Sequence, residues 1–225
     1  MSYLNHDPFT LGCAKDDGPR RVYQNWIKRP VDLFLIILAL PFLLPLLLLV
    51  GLAVRASGHP VLYSQSRVGR GGKTFRFWKF RTMAPGADAE LAALLASDPK
   101  LAQEWRTRQK LGNDPRVTRV GRFLRRSSLD ELPQVWNVIR GDMSLVGPRP
   151  FLPEQRDLYD LHTGTAGYYR IRPGMTGLWQ VSDRNSCGFK GRVHLDDRYF
   201  RGFSLAQDLV VICRTIRAIY RGTGV

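Results

Sequence analysis

Hydrophobic and polar positions are distributed unevenly along this chain. From Leu33 to Val54 no residue is charged. A helix over that run would be about 33 Å long, close to the thickness of a hydrocarbon core. Pro41 and Pro45 fall inside it, each removing a backbone donor and crowding the preceding turn. Basic residues flank both ends, Arg20, Arg21, Lys28 and Arg29 before the run and Arg55, Arg67, Arg70, Lys73 and Arg76 after it. A simple span concentrates its positive charge on one side. The pattern therefore favours a proline-broken, re-entrant membrane helix-hairpin over residues 26–57, with both ends on one face, rather than a kinked span. A cleaved signal peptide is excluded by the length of the run and by the residues ahead of it. Asp32, where the run opens, reads as a dipole or capping partner set beside Arg29.

Elsewhere the periodicity is that of short elements. Residues 1–25 are polar and irregular, which predicts a mobile tail. Val61 to Met83 mixes aromatic and β-branched residues around Gly69-Arg70-Gly71-Gly72 and predicts a small β-hairpin. Ala84 to Lys110 is rich in helix formers with Asp98-Pro99 in its middle, so two helical pieces are expected. In RVTRVGRFLRRSS, Val117, Val120 and Leu124 share one helical face, and Arg119, Arg122 and Arg126 another. In FSLAQDLVVICRTIRAIYRG the apolar stripe is Leu205, Leu209, Ile212 and Ile216, with Arg214, Arg217 and Arg221 elsewhere. Basic amphipathic helices of this kind can lie in the headgroup plane or pack on a core. The expected fold class is mainly α with a small hairpin, a monotopic membrane protein whose cytosolic or interfacial domain spans 58–225.

Composition sharpens this. The formal charge is +15, so an anionic partner is indicated. With 44% hydrophobic residues the chain is not disordered. Cys13, Cys187 and Cys213 are scattered and offer no disulfide framework or zinc site, which suits a reducing compartment.

Chemistry concentrates in SSLDELPQVWNVIRGDMSLVGPRP, Ser127 to Pro150. Asp130 and Glu131 are adjacent acids before an apolar helical pattern. One reading is a capping box of Ser128 with Glu131, the acids complementing a helix dipole. The other is catalytic: a carboxylate among Arg122, Arg125, Arg126, Arg140 and Arg149 could attack phosphorus and carry a phosphoryl group, with arginines and Mg2+ screening a polyanionic substrate.

The ordered blocks KRPVD, QSRVGRGGKTFRFWKFRTM, RRSSLDELPQVWNVIRGDMSLVGPRP, RPGMTGLWQVSDRNS and HLDDRYFRGFSLAQDLVVICRTI run from about Trp26 to Arg221. Together they resemble the bacterial sugar transferase family of monotopic phosphoglycosyl transferases, in particular its short exopolysaccharide-initiating members. The resemblance implies transfer of a sugar-1-phosphate from a UDP-sugar to undecaprenyl phosphate, with release of UMP, at the cytoplasmic face of the bacterial inner membrane. It implies that Asp130 is the nucleophile, that Glu131 assists, and that the pair holds Mg2+. Lys79, Arg81, Arg149 and Arg184 become candidate phosphate contacts, and Gln180 and Asp196 candidate nucleotide-sugar residues. Pro45 fits the family's helix break, with Pro41 an addition, and Asp183 stands where many relatives have glycine. The sugar, galactose or glucose by likeness or else an N-acetylated one, is left open, as is a homodimer. No nucleic acid is expected. The alternative is a membrane-anchored basic nucleic-acid-binding or scaffold protein without catalysis, which gives the acid pair no role.

Overall fold

The computed structural model describes residues 20, 22–108, 111–112, 114–162, 167–182 and 189–220. A long helix, α1 (Lys28–Ala56), is entered through one wider π turn over Tyr23–Ile27. An antiparallel hairpin follows, β1 (Leu62–Val68) with β2 (Thr74–Phe80). Next come α2 (Ala87–Ser97), α3 (Pro99–Arg108), α4 (Arg119–Ser127) and α5 (Gln134–Arg140). The remainder is β3 (Ser144–Val146), α6 (Arg156–Asp160), α7 (Gly167–Arg170), β4 (Gly174–Thr176), α8 (Phe189–Arg201) and α9 (Leu205–Tyr220). The fold is mainly helical with a small hairpin and one long apolar helix near the N-terminus.

The hairpin and the divided helix form for the reasons the sequence suggests. Gly71 and Gly72 supply positive φ values of 67° and 73° at the reversal, which only glycine adopts freely. Asp98 separates α2 from α3, its carboxylate accepting from the Lys100 amide at 2.8 Å. In α4, Leu124 is buried while Arg119, Arg122 and Arg126 face outward, as the spacing predicts.

The helix over the apolar run differs from expectation. The prolines do not divide it: both lie inside one uninterrupted helix. A proline forfeits its own N–H and presses on one earlier carbonyl, so a helix can bend there without ending. Facing the rest of the protein is a stripe at helical spacing. Ile36, with Leu40 and Leu43, joins the cluster of Phe77, Val135, Val138 and Met143. Further along, Val50 and Val54, with Leu46 and Leu47, join Phe80 and Leu124. On the opposite side Phe34, Ile37, Leu38, Phe42, Leu48, Leu49 and Leu52 are exposed.

Two expectations for the N-terminal flank also change. The tail reaches less far than residue 25, because Tyr23 is buried and packs on Phe203. Asp32 is no cap and does not pair with Arg29. It lies beyond the first turn of α1, accepting from Lys28 at 2.9 Å and from the Ser144 hydroxyl at 2.6 Å. Lys28 also donates to Asp208 at 2.6 Å, and Asp208 accepts from the Tyr23 and Tyr199 hydroxyls. A buried ammonium is tolerable only with such partners. Arg29 instead donates to the Val138 and Ile139 carbonyls, satisfying the open C-terminus of α5.

At the other end of the chain, the apolar stripe of α9, open from sequence between packing on a core and lying in the headgroup plane, faces largely outward. Leu205, Leu209 and Ile216 are exposed, whereas Asp208 and Val211 are buried and Ile212 partly so. The buried carboxylate of Asp208 dictates this rotation, since it must face Lys28.

Candidate active site

The acid pair is placed by a break in helical structure. Ser128 takes a left-handed conformation, φ 58°, and ends α4. Leu129–Glu131 then form a single 3-10 turn ahead of Pro133. Leu129 and Leu132 pack against the cluster of Val54, Phe80 and Leu124. That anchoring holds the acids between them against β2. The capping-box alternative fails, because the Glu131 side chain does not return to Ser128. It accepts from Lys79 at 2.7 Å and from both terminal nitrogens of Arg149, at 2.5 and 3.1 Å.

The two carboxylates consequently differ. Burial pushes Glu131 up, but Arg149 and Lys79 outweigh it and hold its carboxyl well below the usual range. Asp130 is buried too, with 7% of its surface exposed, and accepts no hydrogen bond from a described residue. Its nearest cation, Lys79 Nζ, stands at 3.7 Å. Burial, seconded by the Glu131 charge, raises its pKa against the pull of Lys79, Arg125 and Arg149. The site thus holds one locked carboxylate and one available carboxylate in a cationic surround.

Several elements fix those cations. Lys79 lies on β2, whose Arg76 carbonyl and Trp78 amide are held by the fully buried Asn137 of α5, at 2.7 and 3.2 Å. Arg125 donates to the Thr82 hydroxyl at 3.0 Å. A Cβ on Gly121 would lie 2.1 Å from the Thr82 carbonyl, so α4 meets the end of the KFRTM segment backbone to backbone. Arg149 follows β3, which pairs in parallel with β4 (Ser144 opposite Gly174, Val146 opposite Thr176). A Cβ on Gly174 would sit 2.1 Å from the Gly147 nitrogen, so that pairing requires glycine.

Of the residues singled out from sequence, Asp130, Glu131, Lys79 and Arg149 are brought together. Arg81 is not, its guanidinium lying over the Tyr63 ring at 5.6 Å. Gln180 is buried and donates to the Met175 carbonyl at 2.8 Å, away from the acids. Asp196 acts at one remove. It accepts from Tyr159 at 3.0 Å and faces Arg192 at 3.7 Å, while Arg192 also donates to the Arg149 carbonyl. Burial raises the Asp196 carboxyl to about 7, with Arg192 and Tyr159 opposing. Arg184 and the neighbouring Asp183 lie outside the described residues.

Sequence reasoning missed Arg67, Asn137 and Arg192. Arg67 donates to the Pro150 carbonyl at 3.3 Å, and burial together with Arg149 and Arg192 lowers it to about 10. Its signal was faint, an arginine inside a predicted strand. Among the described residues no group of three or more His, Cys, Asp or Glu could hold a metal ion. With Glu131 occupied by two cations, a Mg2+ ion would find one protein carboxylate, Asp130. That suffices only in the mode where substrate phosphates and water complete the shell.

The model of the family described as bacterial sugar transferase matches residues 23–222. The chain belongs to that family, and it is an enzyme of the phosphoglycosyl transferase class. Its relatives include the exopolysaccharide production protein ExoY of Sinorhizobium fredii, 47% identical over 93% of this chain and 92% of the relative. The UDP-glucose:undecaprenyl-phosphate glucose-1-phosphate transferase of Caulobacter vibrioides is 39% identical, over 97% and 82% of the two chains. The undecaprenyl-phosphate galactose phosphotransferase of Salmonella typhimurium is 42% identical over the whole of this chain but 46% of its own length. This chain therefore spans nearly all of the short relative and about half of the longest of the three.

Proposed function

We propose that this protein passes a hexose-1-phosphate, galactose or glucose, from a UDP-hexose to undecaprenyl phosphate through a covalent intermediate on Asp130. The observation that carries the proposal is the buried Asp130 carboxylate, which accepts no hydrogen bond from a described residue, beside a Glu131 locked by Lys79 and Arg149. A carboxylate oxygen of Asp130 attacks the phosphorus that bears the sugar, forming an acyl phosphate as the bond to UMP breaks and UMP leaves. A phosphate oxygen of the polyprenyl carrier then attacks the same phosphorus. The acyl–phosphate bond breaks, the sugar diphosphate-linked lipid departs, and Asp130 is restored. Lys79, Arg149 and Arg125 offset the charge on the phosphoryl oxygens. Glu131 serves as their counter-ion, fixing the lysine and arginine when no substrate is bound. Asp130 would be the protein carboxylate to hold Mg2+, which would supply further charge neutralisation on the substrate phosphates.

In the same reading α1, bending at Pro41 and Pro45 without ending there, dips into the cytoplasmic leaflet of the inner membrane and keeps both its ends on that face. Both its ends dock on one domain, at Asp208 and Ser144 near the start and at Phe80 and Leu124 near the finish. A span would part them by about 30 Å of hydrocarbon. The exposed leucines of α1 and α9 then share a lipid environment with the carrier.

Intact-mass analysis of the detergent-solubilised protein with UDP-galactose or UDP-glucose and Mg2+ tests the chemistry. A hexose-phosphate adduct is expected, absent in folded Asp130→Asn. Normal UMP release by that variant would overturn the proposal. Labelling of cysteines placed at Trp26 and at Ser57 tests the geometry, with both positions expected to react from the cytoplasmic side only.

A further inference from the structure

A second cationic site lies at the far end of the hairpin from the acids. A cavity of about 630 Å³ opens between the hairpin turn and the α7 region, lined by Arg70, Lys73, Arg170 and Arg172 with Tyr169 and Phe200. Lys73 and Lys79 are six residues apart on or beside β2, about 20 Å at strand rise, so this cavity is separate from Asp130. None of its lining residues is acidic. Arg70, Lys73 and Arg170 are exposed and form no ion pair with a described residue. Arg172 spends its Nε on the Gly141 carbonyl at 2.9 Å, and burial, Arg70 and Arg29 together lower its pKa. Nearby carboxylates are already engaged: Asp32 by Lys28 and Ser144, and Asp160 by the Tyr169 hydroxyl at 2.7 Å.

Like charges gathered around a cavity without a counter-ion repel one another unless an anion joins them. The location indicates which anion. Gln24 and Asn25, also in the lining, sit one turn before the apolar helix, and Gln24 donates to the Arg170 carbonyl at 2.9 Å. Beside them Val22, Trp26 and Ile27 are exposed, Trp26 at 74%. A tryptophan exposed where an apolar helix begins is an interfacial anchor, which sets the cavity at headgroup depth.

We infer that this cavity binds the phosphate of an anionic membrane lipid headgroup, through Arg70, Lys73 and Arg170. The inference rests on α1 lying in the membrane, but not on the chemistry of Asp130. The volume accepts a glycerophosphate group, and forked guanidinium groups suit its oxygens.

Native mass spectrometry of the full chain in detergent, titrated with phosphatidylglycerol, with phosphatidylcholine of the same acyl chains, or with inorganic phosphate, tests it without any UDP-sugar. Wild-type protein is expected to retain phosphatidylglycerol about tenfold over phosphatidylcholine. The variant Arg70→Gln/Lys73→Gln/Arg170→Gln is expected to lose that preference. The control Lys100→Gln/Lys190→Gln/Arg198→Gln, which removes equal charge from other exposed positions, is expected to keep it. Thermal unfolding verifies both variants, and Arg70→Glu alone replaces the first should it not fold. The inference is overturned if the site variant keeps its preference, if the control loses as much, or if the wild type shows none. Displacement of the lipid by millimolar phosphate overturns the lipid assignment in favour of a soluble phosphorylated ligand. Absence of UMP release from wild-type protein that keeps its lipid preference would count against the proposed chemistry alone.

Discussion

Two charge clusters in this protein, one buried and one half-buried, are built from the same residue types and end differently. Around Lys28, both neighbouring carboxylates are consumed: Asp32 binds Lys28 and Ser144, and Asp208 binds Lys28, Tyr23 and Tyr199. Around Lys79, Glu131 takes the lysine and both terminal nitrogens of Arg149, leaving Asp130 without a hydrogen bond from any described residue. The first cluster is closed and joins the apolar helix to α9 and β3. The second is open by one carboxylate, and that vacant valence is what chemistry can use. Charge and burial alone do not distinguish a fastening from a reactive site; the count of unmet partners does.

The contrast can be broken first at its reactive end. Asp130→Asn should lower the rate of UMP release by about 10³-fold or more while leaving the unfolding midpoint nearly unchanged. Steady-state kinetics and thermal unfolding on the same preparation check both halves. At the closed end the reverse is expected. Lys28→Met strands Asp32 and Asp208 as unpaired buried acids, which costs about 3–5 kcal/mol of stability, read as a fall in the unfolding midpoint in detergent. Any surviving folded fraction should still form the Asp130 adduct.

Glu131→Gln sharpens the comparison from within the open cluster. Turnover should fall by about 10- to 100-fold as Lys79 and Arg149 lose their counter-ion. The pH profile carries the sign. Asp130 reacts as its anion, so activity is lost as pH falls through its folded pKa, which burial and the Glu131 charge hold above the ordinary value. Removing the Glu131 charge lowers that pKa and frees Lys79 to approach, so the acid limb of kcat/KM should move to lower pH. An unmoved limb would show that Asp130 is not the titrating group. The smallest effect belongs to Ser144→Ala, which deletes one hydrogen bond to Asp32 and should cost about 1 kcal/mol with turnover unaltered.

Local features were readable in advance where neighbours along the chain decide them. The glycine turn of the hairpin, the helix division at Asp98-Pro99 and the polar face of α4 all follow from short-range pattern. So did the clustering of Asp130, Glu131, Lys79 and Arg149 once the motif blocks were taken together. What stayed hidden depends on partners far along the chain. The roles of Lys28 and Asp32 are set by Asp208 and Ser144, and the rotation of α9 follows from burying Asp208 instead of completing the leucine stripe. The parallel pairing of β3 with β4 rests on glycine contacts that no periodicity announces. Arg192 gave no sign of its hold on the Arg149 carbonyl because its partners come from separate segments. The prolines of α1 were overweighted as breakers, since an apolar stripe at helical spacing continues past both.

That stripe bears on how the enzyme can be handled. Ile36, Val50 and Val54 supply one wall of the interior whose other walls are Phe77, Val138, Phe80 and Leu124. A chain trimmed to start after Ala56 would leave those partners facing water and would also leave Asp208 without its lysine. The greasy segment is therefore structural timber for the catalytic half as well as its mooring, and no water-soluble fragment should be obtainable by excising it.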